Sequence, residues 1–204
     1  MRGMTLPRTL AGLLVALALS GCEVYREAEV EELAQARYVS STEPSITLLS
    51  MVNAENGRSA HSALLINGSE QVLYDPAGTF QHPDLPRRDD IHYGVTPRYL
   101  DYYERYHARF SHYVHAQEVP VSRATADQVL ANAEALGRTP KMFCAGSVTG
   151  AVRPVAPFTE VRTSLFPETV RQDFAAIPGV RDRYVRETDT GQNNAWEGDG
   201  ATTD

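Results

Sequence analysis

Cysteine is scarce in this chain of 204 residues, which contains only Cys22 and Cys144. Two cysteines permit at most one disulfide, and these two lie in segments of such different character that we expect no bridge between them. Positive charge is also in deficit, with 19 Lys and Arg against 26 Asp and Glu and a net charge of -7. Because no basic surplus is available to neutralise phosphates, the composition argues against non-specific nucleic-acid binding. Hydrophobic residues make up 42% of the chain, which is enough for a folded core.

Several common catalytic motifs are missing. The sequence has no H-E-x-x-H pair, no Walker loop and no G-x-G-x-x-G turn, and Ser147 lies in A-G-S-V-T rather than in a G-x-S-x-G elbow. His107, His112 and His115 suggest a metal site, but His112 and His115 are three apart on a predicted strand and would point to opposite faces. We expect these histidines to be solvated or at a sheet edge, and we expect no metal and no other cofactor.

The N-terminal segment has the features of a targeting signal. Arg2 and Arg8 precede an apolar run over residues 10–19, which is too short to span a bilayer, and the run is followed by L-S-G-C ending at Cys22. This ending resembles the lipobox of bacterial lipoproteins. The resemblance implies a signal peptide over residues 1–21, cleavage before Cys22 and a lipid on its thiol. An ordinary signal peptide or an N-terminal membrane anchor is the alternative.

A lipoprotein signal would place the protein in the bacterial cell envelope, bound to the lipid bilayer through acylated Cys22. Glu23 follows the lipid site, where aspartate would resemble the inner-membrane retention signal, so we expect the outer membrane and a domain that faces the periplasm. Cys144 would then be the one free thiol in an oxidising compartment. Such a thiol is either buried and inert or reactive.

The rest of the chain divides into three parts. Residues 22–43 are polar and acidic and predict a tether with a possible short helix. Residues 44–180 contain the apolar runs and predict one folded domain. Residues 181–204 lack apolar periodicity and predict a disordered acidic tail.

Strand and helix patterns alternate within the predicted domain. Apolar, β-compatible runs predict strands over residues 45–52, 60–66, 71–74 and 113–121. Capping and breaking residues predict helices at residues 97–109, 122–136, 143–152 and 167–177. We therefore expect an α+β fold in which an antiparallel sheet packs against helices.

Cys144 is the first candidate for chemistry. It lies where a helix rich in small residues is predicted to begin. Unpaired N–H groups and the helix dipole at such a position stabilise a thiolate, and the same N–H groups can hold an oxyanion during acyl transfer. The alternative is a buried cysteine that acts as a small hydrophobic residue.

A cysteine nucleophile needs an imidazole, and His61 is the best placed because it interrupts an otherwise apolar strand. Asp75 ends the next strand and is a candidate to orient the ring. A three-residue turn of Asn67, Gly68 and Ser69 would place His61 opposite Asp75 on one face of the hairpin. The alternatives are a core histidine with satisfied hydrogen bonds, an Asp75 that only makes an Asp-Pro turn, and His92 or His82 as the orienting residue.

Three segments together resemble a known family. A-H-S-A-L-L-I, V-L-Y-D-P-A-G and F-C-A-G-S-V-T-G-A-V occur in the order found in circularly permuted papain-like cysteine hydrolases, relatives of the NlpC-type cell-wall peptidases and of lecithin–retinol acyltransferase. The resemblance covers about residues 45–153. It implies a permuted papain-like fold with His61 as the base, Asp75 as the third residue and Cys144 as the nucleophile.

The resemblance also implies an activity. We expect a membrane-anchored lipoprotein that cleaves an amide in a peptidoglycan peptide, or transfers an acyl group of a lipid, through a thioester on Cys144. The alternative is a lipoprotein without enzymatic activity that binds cell-wall peptide or an envelope protein, with Cys144 inert. A scaffolding role of the acidic tail is a third possibility.

Overall fold

A computed structural model describes residues 26–188 of the chain. The predicted signal peptide over residues 1–21, the lipid site Cys22 and residues 189–204 of the predicted tail lie outside the described part. Between residues 26 and 188, no helix is both long enough and apolar enough to cross a membrane.

One antiparallel sheet of seven strands forms the centre of the described region. In chain order the strands are β1 (Ser45–Asn53), β2 (Ser59–Asn67), β3 (Gln71–Tyr74), β4 (Arg87–Arg88), β5 (Ile91–His92), β6 (His112–Pro120) and β7 (Arg181–Val185). Their spatial order is β4-β5-β3-β2-β1-β6-β7. The predicted α+β class with an antiparallel sheet is confirmed.

Five α-helices accompany this sheet in residues 26–188. They are α1 (Val30–Ala36), α2 (Pro97–His107), α3 (Arg123–Leu136), α4 (Cys144–Val152) and α5 (Pro167–Ala175), and a short 3₁₀ turn covers Phe158–Glu160. The predicted starts of α2 and α3 are confirmed, because Thr96 accepts a hydrogen bond from the Tyr99 N–H and Ser122 accepts one from the Thr125 N–H.

Both faces of the sheet are buried. On β1, Leu48 belongs to a core with helices α3, α4 and α5, whereas its neighbour Leu49 belongs to a second core with Tyr103 of α2. This alternation follows from the two-residue period of a strand. It explains why β1 and β2 are apolar almost throughout, and it places α2 and α4 on opposite sides of the sheet.

The predicted register of the β2–β3 hairpin is wrong by two residues. Asn67 pairs with Gln71, so the turn consists of residues 68–70, and the predicted pairing of His61 with Asp75 does not occur. A tertiary contact holds this turn, because the Asp127 carboxylate on α3 accepts hydrogen bonds of 2.6 Å from both the N–H and the hydroxyl of Ser69. A two-residue shift preserves the alternation of side chains, so His61 and Asp75 still share a face.

The prediction that disorder begins at residue 181 is also wrong. Residues 181–185 form β7, an edge strand paired with β6. Ion pairs support it, with Arg183 at 2.5 Å from Glu104 and Arg181 at 2.6 Å from Glu118. Since backbone hydrogen bonds and charges stabilise this strand while its side chains remain exposed, it lacks the apolar pattern that indicates a strand.

The part of the predicted tether that the structure describes, residues 26–43, lies against the domain. Ala28 is buried and its N–H donates to the Arg87 carbonyl at 2.9 Å, while the Gln71 N–H donates to the Tyr38 carbonyl at 2.8 Å. The short helix foreseen in this segment is present as α1, but residues 26–43 pack on the domain and are not a separate tether. Single residues such as Ala28 make these contacts, and a polar average composition does not reveal them.

Candidate active site

Cys144 is the first residue of α4 and is buried. Met142, two residues earlier, has a φ of 73°, a left-handed conformation that side chains other than glycine rarely adopt. The turn at residues 140–143 brings the chain sharply into the helix. The first N–H groups of α4 have no partner within the helix, so they surround the thiol with positive partial charge.

The thiol of Cys144 reaches the sheet where one strand ends. β3 ends at Tyr74, opposite Leu64, so the pairing of β2 with β3 stops there. Just beyond this point, the Ser62 N–H and the Ala145 N–H lie near enough to the Cys144 sulfur to lower the pKa of its thiol. The early end of β3 therefore provides the space in which α4 and β2 meet.

His61 connects the thiol to a carboxylate. Its Nε2 lies 2.6 Å from Oδ1 of Asp75, and its ring is close enough to the Cys144 side chain for the two groups to shift each other's pKa. Because Asp75 occupies Nε2, Nδ1 is the ring nitrogen that remains for the thiol. The His61 side chain is 20% exposed and the Asp75 side chain only 1% exposed. The structure thus brings together the three residues singled out in the sequence.

Two further residues, Tyr103 and Gly78, fix the position of Asp75. The Tyr103 hydroxyl on α2 donates to Asp75 Oδ1 at 3.0 Å. Gly78 lies so close that an added Cβ would be 1.9 Å from Asp75 Oδ2. The D-P-A-G turn gave a hint of the glycine, whereas no sequence signal links Tyr103 to a carboxylate 28 residues earlier.

Electrostatic interactions among the three groups shift the pKa values of His61 and Cys144. Burial by itself lowers the pKa of His61, but the charge and hydrogen bond of Asp75, together with Cys144, raise that pKa to about 10. Burial raises the pKa of the Cys144 thiol, but the hydrogen bond and charge of His61 and two backbone N–H groups bring it below its ordinary value. The result favours a thiolate–imidazolium pair over the neutral pair.

The other two candidates for orienting His61 lie elsewhere. His92 is 1% exposed, packs edge-on against Phe80 at 5.4 Å between ring centroids, and has no hydrogen-bond partner for either ring nitrogen within the described residues. Burial lowers the pKa of His92 to about 4, so its ring is neutral. His82 packs against Tyr99 at 4.9 Å. Asp75 is therefore the residue in contact with the His61 ring.

The expectation of solvated or edge histidines is wrong for His107 and His115. His107 is half-buried, with its ring parallel to that of His61 at 6.3 Å between centroids. His115 is 3% exposed and its Nε2 lies 2.7 Å from Asp182. Tertiary packing at the end of α2 and the unpredicted strand β7 cover these rings. Within residues 26–188, no group of three His, Cys, Asp or Glu side chains is arranged to hold a metal ion.

A cleft of about 390 Å³ opens beside His61. Its walls include Met51, Ala77, Gly78, Tyr106, His107 and His112. A larger cavity of about 640 Å³ lies between α1 and residues 81–87, but His61 does not line it, and Cys144 lines neither space. We take the smaller cleft as the candidate substrate site because a reacting group there is next to the His61 ring.

The arrangement contains the parts needed for acyl transfer to a thiol: a nucleophile at a helix N-terminus, an imidazole in contact with it and a buried carboxylate on the far side of the ring. No protein-family model, no curated protein and no solved structure matches this chain.

Proposed function

We propose that this protein is a cysteine hydrolase in which Cys144 is the nucleophile, His61 the proton carrier and Asp75 the residue that orients His61. The observation that carries the proposal is the 2.6 Å contact between Asp75 and His61, together with the interaction of the His61 ring with Cys144 that lowers the pKa of the thiol. Asp75 fixes the ring so that Nδ1 faces the thiol. The cleft beside His61 supplies a place for the substrate.

The reaction proceeds through a thioester. The Cys144 thiolate attacks the carbonyl carbon of an amide, an S–C bond forms, and the carbonyl electron pair moves to oxygen, where N–H groups at the start of α4 stabilise it. The C–N bond then breaks, and the His61 imidazolium donates its proton to the leaving amine. A water molecule next attacks the thioester, His61 accepts a proton from it, and the thiolate leaves.

The same residues support a permuted papain-like architecture as part of the proposal. His61 lies on β2, Asp75 directly follows β3, and Cys144 begins α4 later in the chain. This is the order of the family that the sequence resembles. The one antiparallel sheet with α4 against β2 agrees with that order.

The proposed substrate is an amide in cell-wall peptide, and acyl transfer from a lipid is the second choice. Its support is the resemblance of the L-S-G-C sequence at Cys22 to a lipobox, which would anchor the protein in the outer membrane, facing the periplasm. Ala28 is already held on the domain. The four peptide steps from Cys22 to Arg26 span at most about 14 Å, so the surface of the domain that holds Ala28 would lie close to the bilayer.

The test is the rate at which iodoacetamide alkylates Cys144 in the folded protein, resolved from Cys22 by peptide mass spectrometry. At pH 6 we expect alkylation at least about tenfold faster than that of glutathione, because His61 preserves the thiolate at a pH where a free thiol is protonated. His61→Ala should remove the advantage, and His115→Ala should not. Labelling of Cys144 only after unfolding would reject the hydrolase and leave a binding lipoprotein with an inert thiol.

A further inference from the structure

We infer that the cleft beside His61 is a subsite for a substrate N–H group, that His107 is its hydrogen-bond acceptor, and that the site therefore prefers amides to esters. This inference rests on the proposed function of Cys144 and narrows its substrate class. It assigns His107 a binding role that the chain of Asp75, His61 and Cys144 does not use.

The hydrogen bonding of His107 fixes its tautomer. Nδ1 lies 2.9 Å from the Tyr103 carbonyl oxygen. Because a carbonyl only accepts, Nδ1 must carry the proton and donate it. In the neutral ring, Nε2 then has a free lone pair. Burial lowers the pKa of His107 to about 4, which keeps the ring neutral and Nε2 an acceptor at neutral pH.

Aromatic packing holds the ring rigid. The Tyr103 and Tyr106 rings lie 4.4 Å and 4.8 Å from the His107 ring, between centroids. On its other side, the ring is nearly parallel to that of His61, with 18° between the planes. An acceptor that is fixed in this way loses little freedom when a ligand binds.

His107 lines the cleft, so its acceptor atom can contact a ligand bound there. Much of the cleft wall is apolar or small, including Met51, Ala60, Ala77 and Gly78. A polar atom among such neighbours distinguishes between ligands, because a ligand that covers the atom without donating to it leaves a buried acceptor unsatisfied. An amide N–H satisfies Nε2, whereas an ester oxygen at the same place repels it.

Two small electrophiles test the inference. 2-Chloroacetamide carries N–H groups and N,N-dimethyl-2-chloroacetamide carries none, and each forms an S–C bond with Cys144 while chloride leaves. We expect the folded protein to prefer the first reagent over the second by about tenfold more than glutathione does, in line with the loss of one hydrogen bond. His107→Phe should reduce the preference to that of glutathione.

A matched histidine provides the control. His115 is buried away from the cleft, so His115→Phe should leave the preference unchanged. His107→Gln, which retains an acceptor oxygen, should keep part of it. An unchanged preference in His107→Phe, with fast alkylation of Cys144, overturns the role of His107 but not the nucleophile. Slow alkylation by both reagents in the wild-type protein overturns the nucleophile, and the inference with it.

A second measurement does not depend on a His107 variant that folds. In Cys144→Ala protein with ¹⁵N-labelled histidine, acetamide should shift the Nε2 resonance of His107 as that nitrogen accepts a hydrogen bond. N,N-Dimethylacetamide at the same concentration should not. Equal shifts with the two amides would overturn the inference.

Discussion

Two histidine–aspartate contacts in residues 26–188 have almost the same length. His61 Nε2 lies 2.6 Å from Asp75, and His115 Nε2 lies 2.7 Å from Asp182. The two histidines are on neighbours of β1, one on β2 and the other on β6. The hydrogen bond alone does not separate a candidate catalytic pair from a structural one.

The surroundings of the two pairs differ. The side chain of Asp75 is 1% exposed and that of Asp182 is 43% exposed. A buried carboxylate is poorly screened, so Asp75 overcomes the effect of burial and raises the pKa of His61 to about 10. At His115 the effect of burial exceeds that of the Asp182 carboxylate, so the pKa of His115 is lowered.

The two histidines also differ in the group that lies beside their second ring nitrogen. In His61 it faces the Cys144 thiol, whereas Nδ1 of His115 lies 3.3 Å from a guanidinium nitrogen of Arg171, and its ring stacks on Tyr184. A cation at that position cannot receive a proton from the ring or become a nucleophile. Burial of the carboxylate and the identity of the third group therefore decide which pair supports chemistry.

The largest expected effect is the difference in activity between two variants, each of which removes the carboxylate charge of one pair. Asp75→Asn should lower kcat/KM by about 100-fold or more, because the amide no longer holds His61 with Nδ1 toward the thiol or stabilises the imidazolium. Asp182→Asn should leave kcat/KM within about twofold. The measurement is steady-state kinetics on a chromogenic amide, with circular dichroism to confirm folding. Comparable losses in both variants would remove the distinction between the pairs.

A smaller loss of kcat/KM should follow when the Asp75 carboxylate is displaced but not removed. In Gly78→Ala, the new Cβ would overlap Oδ2, so the carboxylate must turn away from His61. We expect kcat/KM to fall about tenfold or more, since small displacements of a catalytic group cost this much. Gly150→Ala in α4 is the control, because its added Cβ would meet only the exposed Leu136 side chain, at 3.3 Å. Full activity in Gly78→Ala would show that the carboxylate position is not critical.

The pH dependence of stability should have opposite signs at the two histidines. The raised pKa of His61 stabilises the folded state fully below its ordinary value of 6.5, and this contribution is lost as pH rises above that value. The pKa of His115 is lowered in the folded state, so protonation favours the unfolded chain. The folded state therefore loses stability as pH falls below 6.5. Chemical denaturation between pH 5 and 9 measures both.

The Cys144→Ala background keeps the thiol from titrating in this experiment. His61→Gln should remove the decline above pH 6.5, and His115→Gln should reduce the decline below it, the rest of which comes from His92 and His107. Identical pH profiles for the two variants would contradict the assignment of opposite shifts.

The smallest effect is expected for the stability contribution of Asp182. Its side chain is nearly half exposed, so solvent screens its interaction with His115. Asp182→Ala should lower the free energy of unfolding at pH 7 by no more than about 1 kcal/mol. Urea denaturation gives the value, and Asp101→Ala, an exposed partner of Arg105, is the matched control. A loss of several kcal/mol would mean that the second pair is structurally essential.

The sequence allowed the α+β class and the candidate residues Cys144, His61 and Asp75 to be predicted. These predictions depended on local signals: a thiol at a helix start, a histidine in an apolar strand and an aspartate at a strand end. Tyr103 and His107 were missed, because both contacts cross between the sheet and α2. The hairpin register was wrong because α3 holds the turn through Asp127.

By itself, the sequence determined where the longer strands β1, β2 and β6 and the helices α2 to α5 lie, and which face of the hairpin carries His61 and Asp75, since caps, breakers and strand alternation act over a few residues. Tertiary structure decided that α4 meets β2 where β3 ends, and that the carboxylate beside His61 is buried while the one beside His115 is exposed. Burial and distance depend on segments far apart in the chain. The electrostatics that distinguish the two pairs arise only when these segments pack together.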